Sequence, residues 1–197
     1  DPSVNPPVAA PLHLFDCCPI SDGASCLLLA AADIAGRFTD VPLHVAGIGQ
    51  GSGRGLQAAE ELTSFEATRA AAAEAYAMAG LGPDEVQFAE VHDCFSIAEL
   101  LHIEDLGFFS PGEGYRAVAD GQTRRDGIKP INTSGGLKCK GHPVGATGAA
   151  QLFEVWQQLR QEAGDRQLPG ADLRIGLAHN LGGTGGTSSV TILERRV

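Results

Sequence analysis

Hydrophobic and polar positions along the chain alternate between strand-like and helix-like segments. Short apolar runs bounded by turn residues predict strands at 42–48, 86–91, 173–178 and 188–193. Alanine-rich and amphipathic segments predict helices at 65–80, 96–106 and 146–163. Ser96 is the expected N-cap of the middle helix. Alternating strands and helices indicate an α/β fold with a mixed sheet covered by helices on both faces.

The first part of the chain is less regular. A short candidate strand spans 12–16, and the apolar run 24–32 fits either a strand or a buried helix. The turn signal Asp22-Gly23 before this run favours a strand. The glycine-rich stretch 47–55 lacks the G-x-G-x-x-G spacing and the later acidic residue of a dinucleotide site. We therefore interpret it as a flexible connector between a strand and a helix.

Composition and charge narrow the classes of function. The net charge of −10 disfavours a nucleic-acid partner, because an acidic chain repels phosphate backbones. The five cysteines form no C-x-x-C pair, so neither a metal site nor a disulfide framework is expected. Reduced thiols suit a cytoplasmic protein. The sequence has no apolar run of membrane-spanning length and no signal-peptide pattern at its start, so we expect no membrane span.

Three loops carry residues suited to chemistry. In the first, His92 and Cys94 follow a strand and lie at the start of a helix, where the positive end of the helix favours a thiolate or an anionic oxygen. A packed cysteine beside a surface histidine explains these residues equally well. In the second, Ser134–Gly148, a rigid glycine-rich loop presents His142 at the mouth of a helix, as general-base chemistry requires.

The third loop, His179–Gly186, is rich in glycine. Its backbone N–H groups could form an oxyanion hole, or its glycines could simply serve a β-hairpin turn. In the second loop, Lys138 and Lys140 are expected to be solvated, although either could meet a phosphate.

Together, these loops resemble the thiolase superfamily. The resemblance is closest to the branch of sterol-carrier-protein-type thiolases and archaeal-type acetoacetyl-CoA thiolases. Its motifs are HDCF at 92–95, INTSGGLKCKGHPVGATG at 131–148, QLR at 158–160, RQLPGA at 166–171 and HNLGG at 179–183. The resemblance implies a thiolase-like mixed five-stranded sheet. It also implies that residues 1–40 are the last strand of a thiolase N-terminal half plus a connector, and that 41–197 form the C-terminal domain.

The same resemblance implies an activity: thiolytic cleavage or Claisen condensation of acyl-CoA thioesters. Coenzyme A is then a substrate, and no covalently bound cofactor is implied. The nucleophilic cysteine of the family lies in the N-terminal half, which this sequence does not contain. His142 resembles the base that activates that cysteine, and His92 resembles part of an oxyanion hole.

Two further catalytic roles follow from the same resemblance. Asn180-Leu181-Gly182 stands where ordinary thiolases carry C-x-G, so Cys94 is the implied substitute for the missing second cysteine. The N–H group of Gly182 matches an oxyanion donor. The expected substrate-binding residues are Asn180, Ser134, Gly135 and His179.

The expected partners are acyl-CoA, the protein's own N-terminal half or a complementary subunit, and further copies in a homo-oligomer. One alternative is a thiolase-like retro-aldolase of steroid side-chain degradation, which works with a zinc-ribbon/OB-fold partner. Those enzymes tend to depart from the GHPVGATG motif that this sequence keeps at 141–148. A second alternative is a thiolase-like subunit without catalytic activity.

Overall fold

The computed structural model of the chain describes residues 1–169 and 172–196. The last two residues of the RQLPGA motif therefore lie outside the described residues. The strands are β1 (Pro7–Ala9), β2 (Leu12–His13), β3 (Leu43–Ser52), β4 (Phe88–Glu90), β5 (Ile175–Gly182) and β6 (Thr187–Arg195). The α-helices are α1 (Ala32–Ala35), α2 (Glu66–Ala79), α3 (Ser96–Asp105), α4 (Gly114–Ala119), α5 (Gly136–Lys140) and α6 (Thr147–Arg160).

The main sheet is mixed, with the strand order β3-β6-β5-β4. Strand β6 is antiparallel to both of its neighbours, and β4 is parallel to β5. The predicted fifth strand is reduced to one parallel bridge between Ile131 and Ala89. After that bridge, Asn132 adopts a left-handed conformation with φ 54°, which turns the chain out of the sheet. The α/β class is confirmed, and the regular sheet has four strands.

Helices cover both faces of this sheet, as predicted. The alternation of strand side chains sends Phe88 to one face and Ala89 to the other. Ala89 joins a core with α2 and α3, where Ala71 and Ile103 are fully buried. Phe88 joins a second core with α6, which contains Val155. The sheet is thus buried on both sides between β4 and β6.

Residues 47–52 of the glycine-rich stretch that we interpreted as a connector belong to β3, and only 53–55 lie outside it. The interpretation was wrong because Gly47, Gly49 and Gly51 recur every second residue and so share one face of the strand. A Cβ atom at any of the three would overlap a backbone carbonyl oxygen of α2, at Ala75, Ala71 and Ala67 respectively. The absence of side chains lets the alanine face of α2 pack directly on the β3 backbone.

The segment before β3 also differs from the prediction. Only Leu12 and His13 of the candidate strand 12–16 are in a strand, and they pair with β1 rather than with the main sheet. The apolar run 24–32 has no regular structure before α1, and Leu28 and Leu29 are 88% and 80% exposed. The strand prediction was wrong for this chain. A strand needs a neighbouring backbone to pair with, and no described residues supply one here.

Helix α3 has a different start from the one predicted. Its N-cap is Phe95, and Ser96 is the first helical residue. The Ser96 hydroxyl donates instead to Asp16 Oδ1, at 2.7 Å. This bond holds the N-terminal segment against the helix that follows the HDCF motif. No helix among the described residues combines the length and the apolar character needed to cross a membrane.

The close packing of α2 on the glycine face of β3 leads to a prediction about the stability of the fold. Substituting Gly49→Ala should lower the free energy of unfolding by about 1–3 kcal/mol or more, because α2 must move away from the strand. Urea denaturation followed by circular dichroism measures this change. Gly36→Ala is the matched control, since nothing lies within 4 Å of the added Cβ. Equal stability of the two variants would contradict the packing argument.

Candidate active site

Two of the predicted loops are held together by one buried carboxylate. Asp93, which follows His92, is 1% exposed. Its Oδ1 accepts a hydrogen bond from Leu137 N at 2.7 Å, and its Oδ2 accepts one from Lys138 N at 3.5 Å. A Cβ at Gly136 would overlap this carboxylate, so the contact requires a glycine there. The HDCF loop is therefore bound to the start of the segment that carries His142.

His142 presents a ring nitrogen that can act as a base. Its Nδ1 lies 2.7 Å from Thr147 Oγ1, and that hydroxyl donates to Pro143 O at 3.2 Å. Because the hydroxyl has only one proton, Nδ1 must donate to it, and Nε2 is left as the acceptor. Burial lowers the pKa of His142 below its usual value, and Asp93 opposes this shift. The imidazole is thus neutral near pH 7, with its basic nitrogen free of a protein partner among the described residues.

His92 carries its ring proton on the other nitrogen. Its Nδ1 lies 3.1 Å from the amide nitrogen Nδ2 of Asn180, which can only donate. Nδ1 is therefore an acceptor, and the ring proton is on Nε2. Burial, with a smaller effect of His142, lowers the pKa of His92 to about 4. The rings of His92 and His142 meet edge to face, with centroids 4.9 Å apart and an interplanar angle of 84°. A neutral base and a neutral donor are thus adjacent.

His179 supports this pair from behind. It is fully buried in the structure, and its expected role in substrate binding stays a prediction. Its Nδ1 lies 3.5 Å from His92 N, and its Nε2 lies 3.2 Å from Thr68 Oγ1 and 3.1 Å from Ser188 Oγ. Burial lowers the pKa of His179 well below its usual value, followed by the effect of His102. This histidine helps to fix the His92 backbone.

Cys94 is a half-buried free thiol at the same loop. Burial and the nearby Cys18 raise the pKa of the Cys94 thiol to about 11. Loss of hydration is the largest effect and outweighs the backbone hydrogen bond of Phe95, which lowers the pKa of the thiol. The thiol therefore remains protonated near pH 7. The N-terminal segment reaches this loop, since Cys18 N donates to Cys94 O at 2.9 Å.

Ser134 is half-buried and is bonded to side chains of the chain itself. Its hydroxyl and its N–H both donate to the buried carboxylate of Glu90, and Lys140 Nζ lies 2.7 Å from the same hydroxyl. These bonds tie the second loop to the end of β4, and the expected substrate contact of Ser134 stays a prediction. The neighbouring Gly135 is exposed and has φ 93°, which favours glycine. Gly182 lies at the last rung of the β5–β6 ladder, opposite Thr187.

Similar proteins were found by sequence and by structure. A family model described as thiolase C-terminal domain-like matches residues 50–195. The chain belongs to this family. It is 53% identical over 189 residues to acetyl-CoA acetyltransferase of Methanothermobacter thermautotrophicus, and the match covers 95% of this chain and 49% of that protein. It is 40% identical over 189 residues to sterol carrier protein 2 of Homo sapiens, with 93% and 34% covered.

A solved structure, the Ltp2-ChsH2(DUF35) aldolase, superimposes with a TM-score of 0.82 at 27% identity. The match covers 95% of this chain and 48% of that chain. The thiolase domain therefore spans about half the length of the archaeal relatives and about a third of the sterol carrier protein.

Several residues of the thiolase domain's site were not found from the sequence. Asp93, Gln151 and Glu90 act through partners that are distant along the chain, so no local pattern marks their roles. Thr147 contacts His142 five residues away, within the same motif, and its role was missed because the motif does not show which side chains bond to each other. His102 is also part of the cluster. Its ring centroid lies 4.3 Å from that of His179, and neither of its nitrogens has a hydrogen-bond partner among the described residues. No group of acidic, histidine or cysteine residues in the described chain has the arrangement of a metal site.

The buried histidines of the thiolase domain predict acid sensitivity. Burial lowers the pKa of His102 to about 3, below its ordinary value near 6.5. Between these two pH values the unfolded chain binds a proton that the folded chain does not, so acidification destabilises the fold. Substituting His102→Leu should make the unfolding free energy depend less steeply on pH, by roughly 1.4 kcal/mol per pH unit in this window.

Urea denaturation at several pH values between 4.5 and 7.5 tests this prediction. At pH 7.5 the His102→Leu variant should be as stable as the wild type or more stable, because no hydrogen bond is lost. The exposed His13→Leu substitution is the control. An unchanged pH slope in the His102 variant would contradict burial of a neutral imidazole.

Proposed function

We propose that the chain is the C-terminal half of a thiolase-type acyltransferase that acts on acyl-CoA thioesters. The observation that carries this proposal is the pair of adjacent neutral histidines with complementary free nitrogens. His142 offers an acceptor and His92 offers a donor, 4.9 Å apart between ring centroids. Acyl transfer through a cysteine needs both: a base to form the thiolate and a donor for the oxygen that becomes negative.

In the proposed mechanism, the nucleophilic cysteine comes from the N-terminal half. His142 Nε2 takes the proton of that thiol, and the thiolate attacks the 3-carbonyl carbon of a 3-oxoacyl-CoA. The bond between carbons 2 and 3 then breaks, leaving an acyl group on the cysteine and the enolate of a shortened CoA thioester. A new coenzyme A thiol then gives its proton to the Cys94 thiolate, which is left after Cys94 protonates the enolate, and takes the acyl group from the cysteine. The released cysteine recovers its proton from His142.

The enolate is stabilised and protonated by the other two loops. His92 Nε2–H donates to the enolate oxygen, and the Gly182 N–H is proposed as a donor to the oxyanion at the acylated cysteine. Cys94 gives its proton to the α-carbon. Its raised pKa suits this role, because the thiol is protonated near pH 7 and can act as an acid. The condensation direction reverses these steps.

The missing half of the proposed enzyme has a surface to cover. Ile20, Leu28, Leu29 and Val144 are at least 80% exposed, and the first and last of them flank the Pro19 carbonyl and His142, which are hydrogen-bonded to each other. Exposed apolar side chains that adjoin a reactive site, as Ile20 and Val144 do, favour a protein partner over solvent. We propose that the protein's own N-terminal half, or a complementary subunit, covers this surface. Cytoplasmic location and a homo-oligomeric assembly are part of the same proposal.

Substituting His142→Ala in the complete enzyme tests the role of the base. Acylation by a reactive acyl-CoA, followed by intact-protein mass spectrometry, should slow about 10²–10⁴-fold. The exposed His13→Ala variant is the control and should acylate at the wild-type rate. Unchanged acylation of the His142→Ala enzyme would rule out its role as the activating base.

A thiolase-like aldolase is the second candidate, favoured by the aldolase among the structural neighbours. Such an enzyme also needs a base and an enolate donor, but it needs no acyl-cysteine. The complete protein should cleave a 3-oxoacyl-CoA only when free coenzyme A is added. Cleavage of a 3-hydroxyacyl-CoA without added coenzyme A would favour the aldolase.

A subunit without catalytic activity is the third candidate. Purification of the natural protein, followed by intact-mass measurement, separates it from the acyltransferase. The proposal predicts that a chain with the nucleophilic half is found, either fused to this one or co-purifying with it. A single species near the 20.4 kDa mass of this chain, with no turnover, would contradict the proposal.

A further inference from the structure

We propose that Asn180 is a positioning residue that sets which ring nitrogen of His92 carries the proton, and that Gln151 orients the Asn180 amide for this task. The inference rests on the proposed function in one respect, the need for a donor at His92 Nε2. It goes beyond it by giving Asn180 a role. From the sequence this residue was expected to bind substrate, at the position where a second cysteine is missing.

The argument begins with the two protons on the Asn180 amide nitrogen. That nitrogen lies 3.1 Å from His92 Nδ1 and 2.9 Å from Gln151 Oε1. Both neighbours are placed to accept, so each takes one proton of the amide. Gln151 is 1% exposed, and its own Nε2 has no partner among the described residues. Gln151 therefore contributes to this site through its oxygen alone, which holds the amide nitrogen of Asn180 toward His92.

The partners are held by regular structure rather than by a mobile loop. Asn180 lies inside β5, where it pairs with Ser189 of β6. Gln151 lies inside α6, on the buried side of the helix. His92 is fixed behind by the contact between its N–H and His179 Nδ1. The orientation of the amide is therefore set before any ligand arrives.

The tautomer matters because His92 is neutral. A neutral imidazole has one donor and one acceptor nitrogen, so the partner of Nδ1 decides the chemistry of Nε2. With the Asn180 amide donating to Nδ1, Nε2–H is a hydrogen-bond donor in a ring that packs edge to face with His142. A carboxylate at position 180 would demand a proton on Nδ1 and turn Nε2 into an acceptor. An aliphatic residue there would leave the two tautomers without a fixed preference.

Substituting Asn180→Asp is the decisive experiment. In the protein labelled with ¹⁵N at histidine, the wild type should show His92 protonated at Nε2 at pH 7.5, and the variant should show a proton on Nδ1. The carboxylate should also raise the pKa of His92, which the same spectra follow during a pH titration. In the complete enzyme, thiolysis should fall about 10²–10³-fold in kcat, the usual loss for one oxyanion donor.

Gln151→Glu is the matched control. It places a carboxylate next to Asn180 rather than next to His92, and this carboxylate can still accept the proton that the Asn180 amide donates to Gln151 in the wild type. The His92 tautomer should therefore stay at Nε2–H. If Asn180→Asp does not fold by thermal denaturation, Asn180→Leu replaces it and should give a mixture of the two tautomers.

The spectra separate this inference from the proposed function. Wild-type protein with the proton on Nδ1, or an Asn180→Asp variant that keeps it on Nε2, would overturn the role of Asn180 whatever the activity. The predicted change of tautomer in a complete protein that cleaves no acyl-CoA would support the positioning role and contradict the acyltransferase.

Discussion

The site depends on one interaction, the acceptance of two backbone N–H groups by the carboxylate of Asp93. These bonds to Leu137 and Lys138 join the loop after β4 to the segment that leads to His142. Asp93 and His92 are consecutive, so fixing one positions the other. This contact gives a direct common frame to two imidazoles that are 50 residues apart in sequence. Residue 136 must be glycine, because the carboxylate of Asp93 lies so close to the start of α5 that a Cβ there would overlap it.

Within that frame, burial controls the charge of the site. His92, His102, His142 and His179 all have lowered pKa values, chiefly because they lose hydration. A neutral imidazole has one nitrogen that donates a hydrogen bond and one that accepts. The partner of one nitrogen therefore decides whether the other acts as a donor or as a base. Thr147 leaves a basic nitrogen on His142, and the Asn180 amide leaves a donor on His92. The same loss of hydration keeps the Cys94 thiol protonated.

The site rests on a sheet whose two faces are covered by helices of the same chain. Alanines of α2 meet the glycine face of β3, and α6 covers the other side of the sheet. The N-terminal segment is different, since its bonds to the site are few and its apolar side chains remain exposed. This contrast is one reason for our proposal that a second half of the protein covers the exposed segment and supplies the nucleophile.

The sequence by itself determined the fold class, the main helices and the loops that carry His92, Cys94 and His142, because periodicity and turn residues are local signals. It misread the glycines at 47–51 and the run 24–32, whose conformation depends on a helix or a strand elsewhere. Only the tertiary structure showed that His92 and His179, which are 87 residues apart in sequence, lie in contact. One reaches the site and the other is fully buried behind it. Hydrogen-bond partners distant in sequence fix each ring, and no local pattern records them.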